Sequence, residues 1–292
     1  RWDKQSYIAT VENEQTSPRF SLRYQAADKT VLRAGWGRFS QAQGVNELQV
    51  EDGITRFFPA QRSTQAVLGI DHQFANDLQL RVELYSKKMD SLRPRFENLF
   101  NQLELLPELG SDRRVLTPDD ATAQGAELLI RMNRPDRALN WWAGASFSSV
   151  KDNFAGTEVP RSWDQKAAVN VGVNWRRGNW RADAVAQYHD GWPTTDVFVV
   201  NSGGVSSVEL GQRNAARLPD YFSLDFRLSH RQMLRGSSAW TWFFELSNAT
   251  SRENRCCVDY SIDENDDGSL SVTREYDNWL PIIPSLGVIW EF

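Results

Sequence analysis

Histidine and cysteine are scarce, with three histidines and two cysteines in the 292-residue sequence. His72, His189 and His230 stand far apart in the sequence and form no paired metal-ligand spacing such as HxxxH. Serine is plentiful, but the Gly-x-Ser-x-Gly elbow of a hydrolase does not occur. The sequence therefore predicts no metal site, no cofactor and no catalytic residue, and we expect a protein that is not an enzyme.

Long apolar runs and clusters of basic residues are also absent. No run of about 20 apolar residues occurs and the mean hydropathy is −0.54, which excludes a membrane-spanning helix. The formal net charge is −5 and the basic residues are dispersed, so the sequence predicts no nucleic-acid partner.

In place of apolar runs, the sequence has a strict alternation. In strand-like stretches such as Ala167–Trp175 and Trp180–Tyr188, every second residue is apolar or aromatic, and none of these residues is acidic or basic. Side chains alternate across a strand, so one face suits hydrocarbon and the other face suits water. We expect the wet face to line a polar lumen with Arg33, Arg81, Glu83, Glu127, Arg131, Arg181, Asp183, Asp225, Arg227 and Glu245.

Strand length and loop length distinguish a membrane barrel from a soluble β-sandwich, which also alternates. Several stretches match the ~9–11 residues that cross a bilayer at a tilt, namely Ser63–Phe74, Asp77–Asp90, Thr122–Met132, Leu139–Lys151, Trp163–Arg176 and Trp180–Asp190. Short connections occur at Ala26–Lys29, Ala75–Asn76, Arg134–Arg137, Arg177–Asn179 and Met233–Ser237. They alternate with long connections at Gln41–Arg62, Ser91–Ala121, Asp152–Ser162, Gly191–Pro219 and Ala249–Ile283. Short turns on one side and long loops on the other are typical of outer-membrane barrels.

The sequence thus predicts an all-β, antiparallel transmembrane β-barrel in a lipid bilayer. The alternative is a soluble all-β binding module. Tryptophans near strand ends, such as Trp175 and Trp180, fit the aromatic girdles of such barrels. Counting back from a last strand Pro284–Phe292 that ends on the periplasmic side places every long connection outside the cell. The count gives eleven strands, with Trp2–Thr10 as a twelfth. No export signal precedes them, so we expect the chain to be the C-terminal part of a longer protein.

Several short sequence motifs, called phrases below, resemble segments of the C-terminal barrel of TonB-dependent receptors. The similar phrases, in chain order, are Ser17-Pro18-Arg19-Phe20-Ser21-Leu22-Arg23-Tyr24, Leu32-Arg33-Ala34-Gly35-Trp36-Gly37-Arg38-Phe39, Arg161-Ser162-Trp163-Asp164-Gln165, Gly191-Trp192-Pro193-Thr194-Thr195, Leu218-Pro219-Asp220-Tyr221-Phe222-Ser223-Leu224-Asp225 and Ser247-Asn248-Ala249-Thr250-Ser251-Arg252-Glu253-Asn254. The last strand also finishes on an aromatic residue, Phe292. Their order and spacing, more than any single phrase, carry the resemblance, which extends over nearly the whole chain.

The resemblance implies that residues 1–292 supply about the last 12 strands of a 22-strand barrel, whose lumen is filled by an N-terminal plug domain outside this sequence. It implies a receptor in the Gram-negative outer membrane that binds a scarce nutrient (a siderophore, cobalamin or oligosaccharide) and imports it by coupling to TonB through the plug. It also implies that the outer-membrane assembly machinery recognises the terminal Trp290 and Phe292. A self-contained 12-strand channel or a barrel-embedded hydrolase is the alternative function.

A candidate ligand site combines aromatic faces with hydrogen-bonding groups at the external ends of two neighbouring strands. Its residues are Arg161, Trp163, Asp164, His189 and Trp192. This chemistry suits sugar rings or catecholate-like ligands. Trp163 and Trp192 could equally be girdle residues that touch no ligand.

Cys256 and Cys257 are adjacent in the last external loop. Adjacent Cα atoms are ~3.8 Å apart, below the usual ~4.4–6.8 Å of a disulfide, so a bond between them would be strained. The compartment is oxidising, which favours either a vicinal disulfide or a link to a segment outside this sequence over two reduced thiols. Of these possibilities, the vicinal disulfide is the prediction.

Two further loop motifs have a structural and a functional interpretation. Asp263–Gly268 matches the first half of a Ca²⁺ loop, but position twelve is Arg274, so an Asp-Gly hairpin is favoured. Apolar residues at helical spacing could form a helix over the barrel mouth or simply pack their loop onto itself; they are Phe96, Leu99, Phe100, Leu103 and Leu106.

Overall fold

Eleven long strands form one antiparallel sheet in the computed structural model, which describes residues 2–4, 14–75, 77–101, 103–134, 136–202, 205–234 and 238–292. Their bounds are β1 Arg19–Ala27, β2 Thr30–Gln41, β3 Gln61–Gln73, β4 Leu78–Asp90, β5 Asp120–Met132, β6 Leu139–Phe154, β7 Ala167–Arg177, β8 Trp180–His189, β9 Tyr221–Met233, β10 Ala239–Ser247 and β11 Ile283–Glu291. Their lengths run from 9 residues in β1 to 16 in β6, enough to cross a bilayer at a tilt.

The remaining elements belong to the connections. Short strand pairs are Trp2–Lys4 with Glu14–Thr16, Arg95–Asn98 with Arg113–Leu116, Pro193–Thr194 with Ala216–Arg217, Val197–Ser202 with Val205–Leu210, and Arg255–Glu264 with Leu270–Asn278. Thr157–Pro160 pairs with the end of β6. Single 3₁₀ turns occur at Val45–Glu47, Val50–Asp52 and Pro107–Leu109.

The sheet is a meander in which each strand pairs with its neighbours in the sequence. Because paired residues share a face, the register carries one face assignment across all eleven strands. Val171 of β7, for example, pairs with Ala143 of β6 and with Ala186 of β8. The predicted all-β antiparallel architecture, its strand order and its apolar face are confirmed.

The apolar face is exposed, as a lipid-facing surface must be. Leu68 is 60% exposed and Leu286 is 80% exposed, although both lie inside regular strands. Apolar side chains left open over a whole sheet face would not be stable in water. The sheet is therefore built to be covered by hydrocarbon on this side.

Long and short connections separate to opposite ends of the sheet, as predicted. We call these ends the loop end and the turn end. β1–β2 and β7–β8 are joined by two residues each, whereas β4–β5 and β8–β9 are joined by 91–119 and 190–220. At the turn end, the rings of Trp180 and His230 lie 4.6 Å apart on the apolar face and form part of an aromatic band.

Some predicted bounds differ from the structure. Trp163 lies in a loop with φ +70°, so the predicted start of its strand was wrong and β7 begins at Ala167. Of the predicted twelfth strand Trp2–Thr10, residues 5–10 lie outside the described residues, as do Asn76, Pro135 and 235–237 of the predicted short turns. Among the described residues, no helix is long and apolar enough to cross a membrane.

Candidate functional site at the loop end

Five rings meet at the loop end of β8 and β9. Trp192 is central: its ring centroid lies 4.5 Å from that of Trp163, 5.5 Å from that of His189 and 6.1 Å from that of Trp279. His189 in turn stacks on Tyr221 at 4.7 Å with an interplanar angle of 3°. We call these five residues the aromatic cluster.

The strand register creates the core of this cluster. His189 ends β8 and Tyr221 begins β9, and the two are register partners, so their side chains project from the same face. This face is opposite to the apolar one and is the polar face of the sheet. Trp192 follows β8 after two loop residues, while Trp163 and Trp279 come from two other connections.

The outer rings of the cluster remain open to solvent. Trp163 is 44% exposed and Trp279 is 38% exposed. Indole rings offer flat apolar faces for stacking on aromatic or sugar rings, and their π-faces attract cations. Since Trp192 contacts rings from three separate segments, a ligand on the cluster would bridge several loops.

Two of the predicted site residues support the loops instead of lining the cluster. Asp164 is 4% exposed, accepts a 2.6 Å hydrogen bond from the Val150 backbone amide and pairs with Arg217. Arg217 also pairs with Asp190 at 2.8 Å. The Arg161 guanidinium lies 2.6 Å from Asp152. Both predicted polar groups are thus engaged in ion pairs beside the rings.

A buried ion network lies below these loops. The Asp152 carboxylate is fully buried and contacts Arg95 and Arg161, and Glu97 contacts Arg95 and also Arg213 at 2.7 Å. Burial disfavours the charged form of Glu97, but the neighbouring guanidinium groups outweigh it and lower the pKa of this carboxyl. The network joins three connections, because its members come from β4–β5, from β6–β7 with the adjoining end of β6, and from β8–β9.

The ten predicted lumen residues all lie on the face opposite to the apolar one, by register. Ion pairs join these residues across strands: Arg33 of β2 pairs with Asp71 of β3 at 2.9 Å and with Glu83 of β4 at 3.1 Å. Arg227 of β9 likewise pairs with Glu245 of β10. This face is polar with both signs of charge interleaved.

A family model described as TonB dependent receptor-like, beta-barrel, matches residues 1–249, most of the chain. The chain belongs to this family. TonB-dependent receptor barrels are found in the outer membrane, so the apolar face of the sheet contacts lipid and the polar face lines the lumen of the barrel. The family consists of receptors and transporters and not of enzymes.

Solved receptor structures share the fold at low sequence identity. The ferripyoverdine receptor of the outer membrane of Pseudomonas aeruginosa matches with a TM-score of 0.58 and 14% identity, covering 96% of this chain and 33% of the receptor. The outer membrane transporter YddB from Escherichia coli matches with a TM-score of 0.61 and 11% identity, covering 98% and 42%. The FrpB iron transporter from Neisseria meningitidis gives 0.58 and 12%, covering 95% and 39%.

The chain thus spans between a third and about two fifths of the length of these solved structures. No curated protein matches the sequence. At these identities the solved structures establish the fold alone.

The two cysteines lie at the base of a hairpin in the receptor's last long loop, formed by Arg255–Glu264 and Leu270–Asn278. Both are free thiols in the structure, with their sulfurs 3.1 Å apart. Burial of Cys257 and its neighbour Cys256 raise the pKa of the Cys257 thiol. The vicinal disulfide stays a prediction.

The acidic tip of this hairpin is a tight turn, in agreement with the favoured interpretation of Asp263–Gly268. Gly268 takes φ +76°, and its amide donates to the Asn265 carbonyl at 2.8 Å. The Asp267 carboxylate accepts from the Ser269 amide and hydroxyl, which lowers the pKa of Asp267. No group of three or more His, Cys, Asp or Glu residues suited to a metal occurs in the described part of the chain.

Of the two alternatives for the apolar residues at helical spacing, the helix over the mouth does not form in the described residues, and the loop packs against other loop residues. Arg95–Asn98 and Arg113–Leu116 form a strand pair instead, joined by a segment with one 3₁₀ turn; residue 102 of this segment lies outside the described residues. The Asp112 carboxylate stabilises this segment by accepting a hydrogen bond from the Phe100 backbone amide at 2.8 Å. Phe100 packs edge-on against Tyr260 at 4.9 Å, so the segment contacts the cysteine-bearing hairpin.

Sequence reasoning missed Tyr221 and Trp279 of the aromatic cluster. Counting residues along β9 could have placed Tyr221 beside His189, whereas the position of Trp279 depends on the path of a long loop. The predicted assembly residues Trp290 and Phe292 are 62% and 101% exposed at the end of β11. Their role in assembly stays a prediction.

Proposed function

We propose that this barrel belongs to a receptor that binds a ferric siderophore at the cell surface and imports it actively, coupled to TonB through an N-terminal plug domain. The observation that carries the proposal is the aromatic cluster at the outer mouth of a TonB-dependent receptor barrel. Flat aromatic faces beside hydrogen-bonding groups suit the aromatic rings of catecholate chelates that enclose ferric iron.

Several similar structures are iron receptors by name, which favours iron over cobalamin or oligosaccharide. The ferripyoverdine receptor was solved with ferripyoverdine bound, and FrpB is described as an iron transporter. The outer edges of β1 and β11 have no strand partner in the described part of the chain. Open strand edges are not stable in lipid, so we infer that further strands of the full receptor close the barrel around the plug.

Uptake of radioactive iron by iron-starved cells tests this function. Cells that carry the full-length receptor are offered ferric catecholates and ferric hydroxamates, with receptor-deleted cells as the control. We expect one class to bind and to be imported, and a protonophore to abolish import while leaving surface binding intact. Import that survives collapse of the proton gradient would contradict TonB coupling, and failure of every iron complex to bind would contradict the ligand class.

The aromatic cluster is tested by substituting its central ring. Trp192→Ala removes the ring that contacts three others, and we expect affinity for the bound ferric siderophore to fall about tenfold, since aromatic contacts contribute ~0.5–1.5 kcal/mol beyond burial and 1.4 kcal/mol is tenfold. Trp36→Ala, on the lipid-facing side of β2, is the matched control and should leave affinity unchanged. Equal affinities of the two variants would remove the cluster from the ligand site.

A further inference from the structure

A β-bulge places the two cysteines of the last loop on the same side of their strand. Arg255 pairs with Asn278 and Cys257 pairs with Asp277, so the register shifts across Cys256. In a regular strand, adjacent side chains project to opposite faces. The bulge interrupts this alternation, and it brings the sulfurs of neighbouring residues to 3.1 Å.

The bulge lies beside a fixed base. The Asn254 side chain is buried and binds both backbone groups of Phe222: its Oδ1 accepts from the amide at 2.9 Å and its Nδ2 donates to the carbonyl at 2.8 Å. The Trp279 amide donates to the Asn254 carbonyl at 2.8 Å and closes the base from the other strand. The hairpin is therefore anchored to β9 at Asn254, and the two cysteines connect this anchor to the rest of the hairpin.

Beyond the bulge, the hairpin reaches the other external loops. The Tyr260 hydroxyl donates to the Thr195 carbonyl at 3.2 Å, and Arg274 pairs with Asp196. Phe100 packs on the Tyr260 ring. A change of backbone conformation at the bulge would therefore displace contacts with two neighbouring loops.

We propose that Cys256 and Cys257 form a disulfide in the mature receptor, and that this bond fixes the bulge and with it the position of the hairpin. The external loops of an outer-membrane protein lie in an oxidising environment, where such bonds persist. The adjacent cysteines are placed together by local backbone geometry, so the bond requires no distant partner. This inference does not depend on the identity of the ligand.

The bond forms by exchange with a protein disulfide of a thiol oxidoreductase. The thiolate of one cysteine attacks the oxidoreductase disulfide, which gives a mixed disulfide and releases one oxidoreductase thiol. The second cysteine then attacks the sulfur of the first, forms the Cys256–Cys257 bond and releases the other thiol. Two electrons and two protons pass to the oxidoreductase, which leaves as a dithiol.

Peptide mass analysis of the full-length receptor tests the bond directly. Trypsin cleaves after Arg255 and Arg274, so both cysteines fall in the single peptide Cys256–Arg274, which contains no other trypsin site. Receptor from outer membranes is denatured and treated with iodoacetamide without reductant. We expect this peptide to be two hydrogen atoms lighter than the dithiol and to carry no alkyl group, and to take two alkyl groups after reduction.

Two results would overturn the proposal. Double alkylation without reduction would show free thiols, and a peptide joined to a second cysteine peptide would show a link to another segment.

The consequence for the hairpin is tested by hydrogen exchange: reduction should cause a loss of amide protection between Val258 and Tyr276 in the wild-type receptor. The Cys256→Ser/Cys257→Ser variant should not respond to reductant, and an unchanged wild-type pattern would refute the role of the bond in positioning the hairpin.

Discussion

At the scale of single residues, the lumen wall is shaped by pairs of small and large side chains on neighbouring strands. Trp142 of β6 is the register partner of Gly172 on β7, and a Cβ at Gly172 would lie 2.3 Å from the Trp142 Nε1 atom. Phe243 and Gly287 are paired in the same way on β10 and β11. The glycines allow the rings to lie flat against the wall, so that large apolar side chains occur on a polar face without projecting into the lumen.

The two faces should differ sharply in their tolerance of charge. Val171→Arg places a cation on the lipid face of β7 and should cost ~2–4 kcal/mol of folding free energy near the bilayer midplane. Asn170→Arg, one residue away, projects into the lumen beside Gly144 and Gln187 and should cost much less. Urea titration of full-length receptor folded into lipid vesicles measures both. Equal costs would contradict the face assignment of this strand.

At the scale of elements, the last hairpin carries an unfavourable concentration of carboxylates. Partial burial and the charges of Asp277, Glu104 and Asp112 raise the pKa of Asp259. A carboxyl whose pKa is raised in the folded state stabilises that state when protonated. We therefore expect the hairpin to gain amide protection as the pH falls through the folded-state pKa of Asp259, with the gain complete below its unfolded pKa of about 4.

Hydrogen exchange between neutral and mildly acidic pH measures this effect. Asp259→Asn should give the acid-state protection already at neutral pH, while Asp263→Asn at the exposed tip should keep the wild-type pH dependence. Asp259 is only partly buried and remains accessible to solvent, so salt should weaken the effect by screening. The Glu97 carboxyl has the opposite effect on stability. Its pKa is lowered in the folded state, so the stability that it contributes is lost as the pH falls through that lower pKa. A loss of hairpin protection already in mild acid would contradict the assignment to Asp259.

The sequence was sufficient for the strands because their information is local. Alternation in stretches such as Ala167–Trp175 indicates which face contacts lipid, and the position of each short turn is determined by the two strands that it joins. The loops depend on contacts between distant residues, such as Arg95 with Asp152 or Arg213 with Glu97. The apolar spacing from Phe96 to Leu106 left a helix and a packed loop both open for this reason, because the partners that fix the loop, including Tyr260, lie far away in the sequence.

At the scale of the whole molecule, the loop end and the turn end have different construction. The turn end consists of short connections beside an aromatic band, with Trp180, His230 and Trp242 in mutual contact. The loop end consists of long connections joined to each other by ion pairs such as Arg213 with Glu97 and by the hairpin contacts of Tyr260. The aromatic cluster therefore lies among loops that are held together by these contacts.

This polarity predicts which end faces the outside of the cell. Long loops of outer-membrane barrels are external and short turns are periplasmic, so the hairpin tip should be accessible from outside and the β7–β8 turn should not. In full-length receptor with Cys256→Ser and Cys257→Ser, a membrane-impermeant maleimide should label Asp266→Cys on intact cells. The same reagent should reach Asn179→Cys, which is equally solvent-exposed in the structure, only after the outer membrane has been permeabilised. Labelling of Asn179→Cys on intact cells, with Asp266→Cys protected until permeabilisation, would invert the topology and place the aromatic cluster on the periplasmic side.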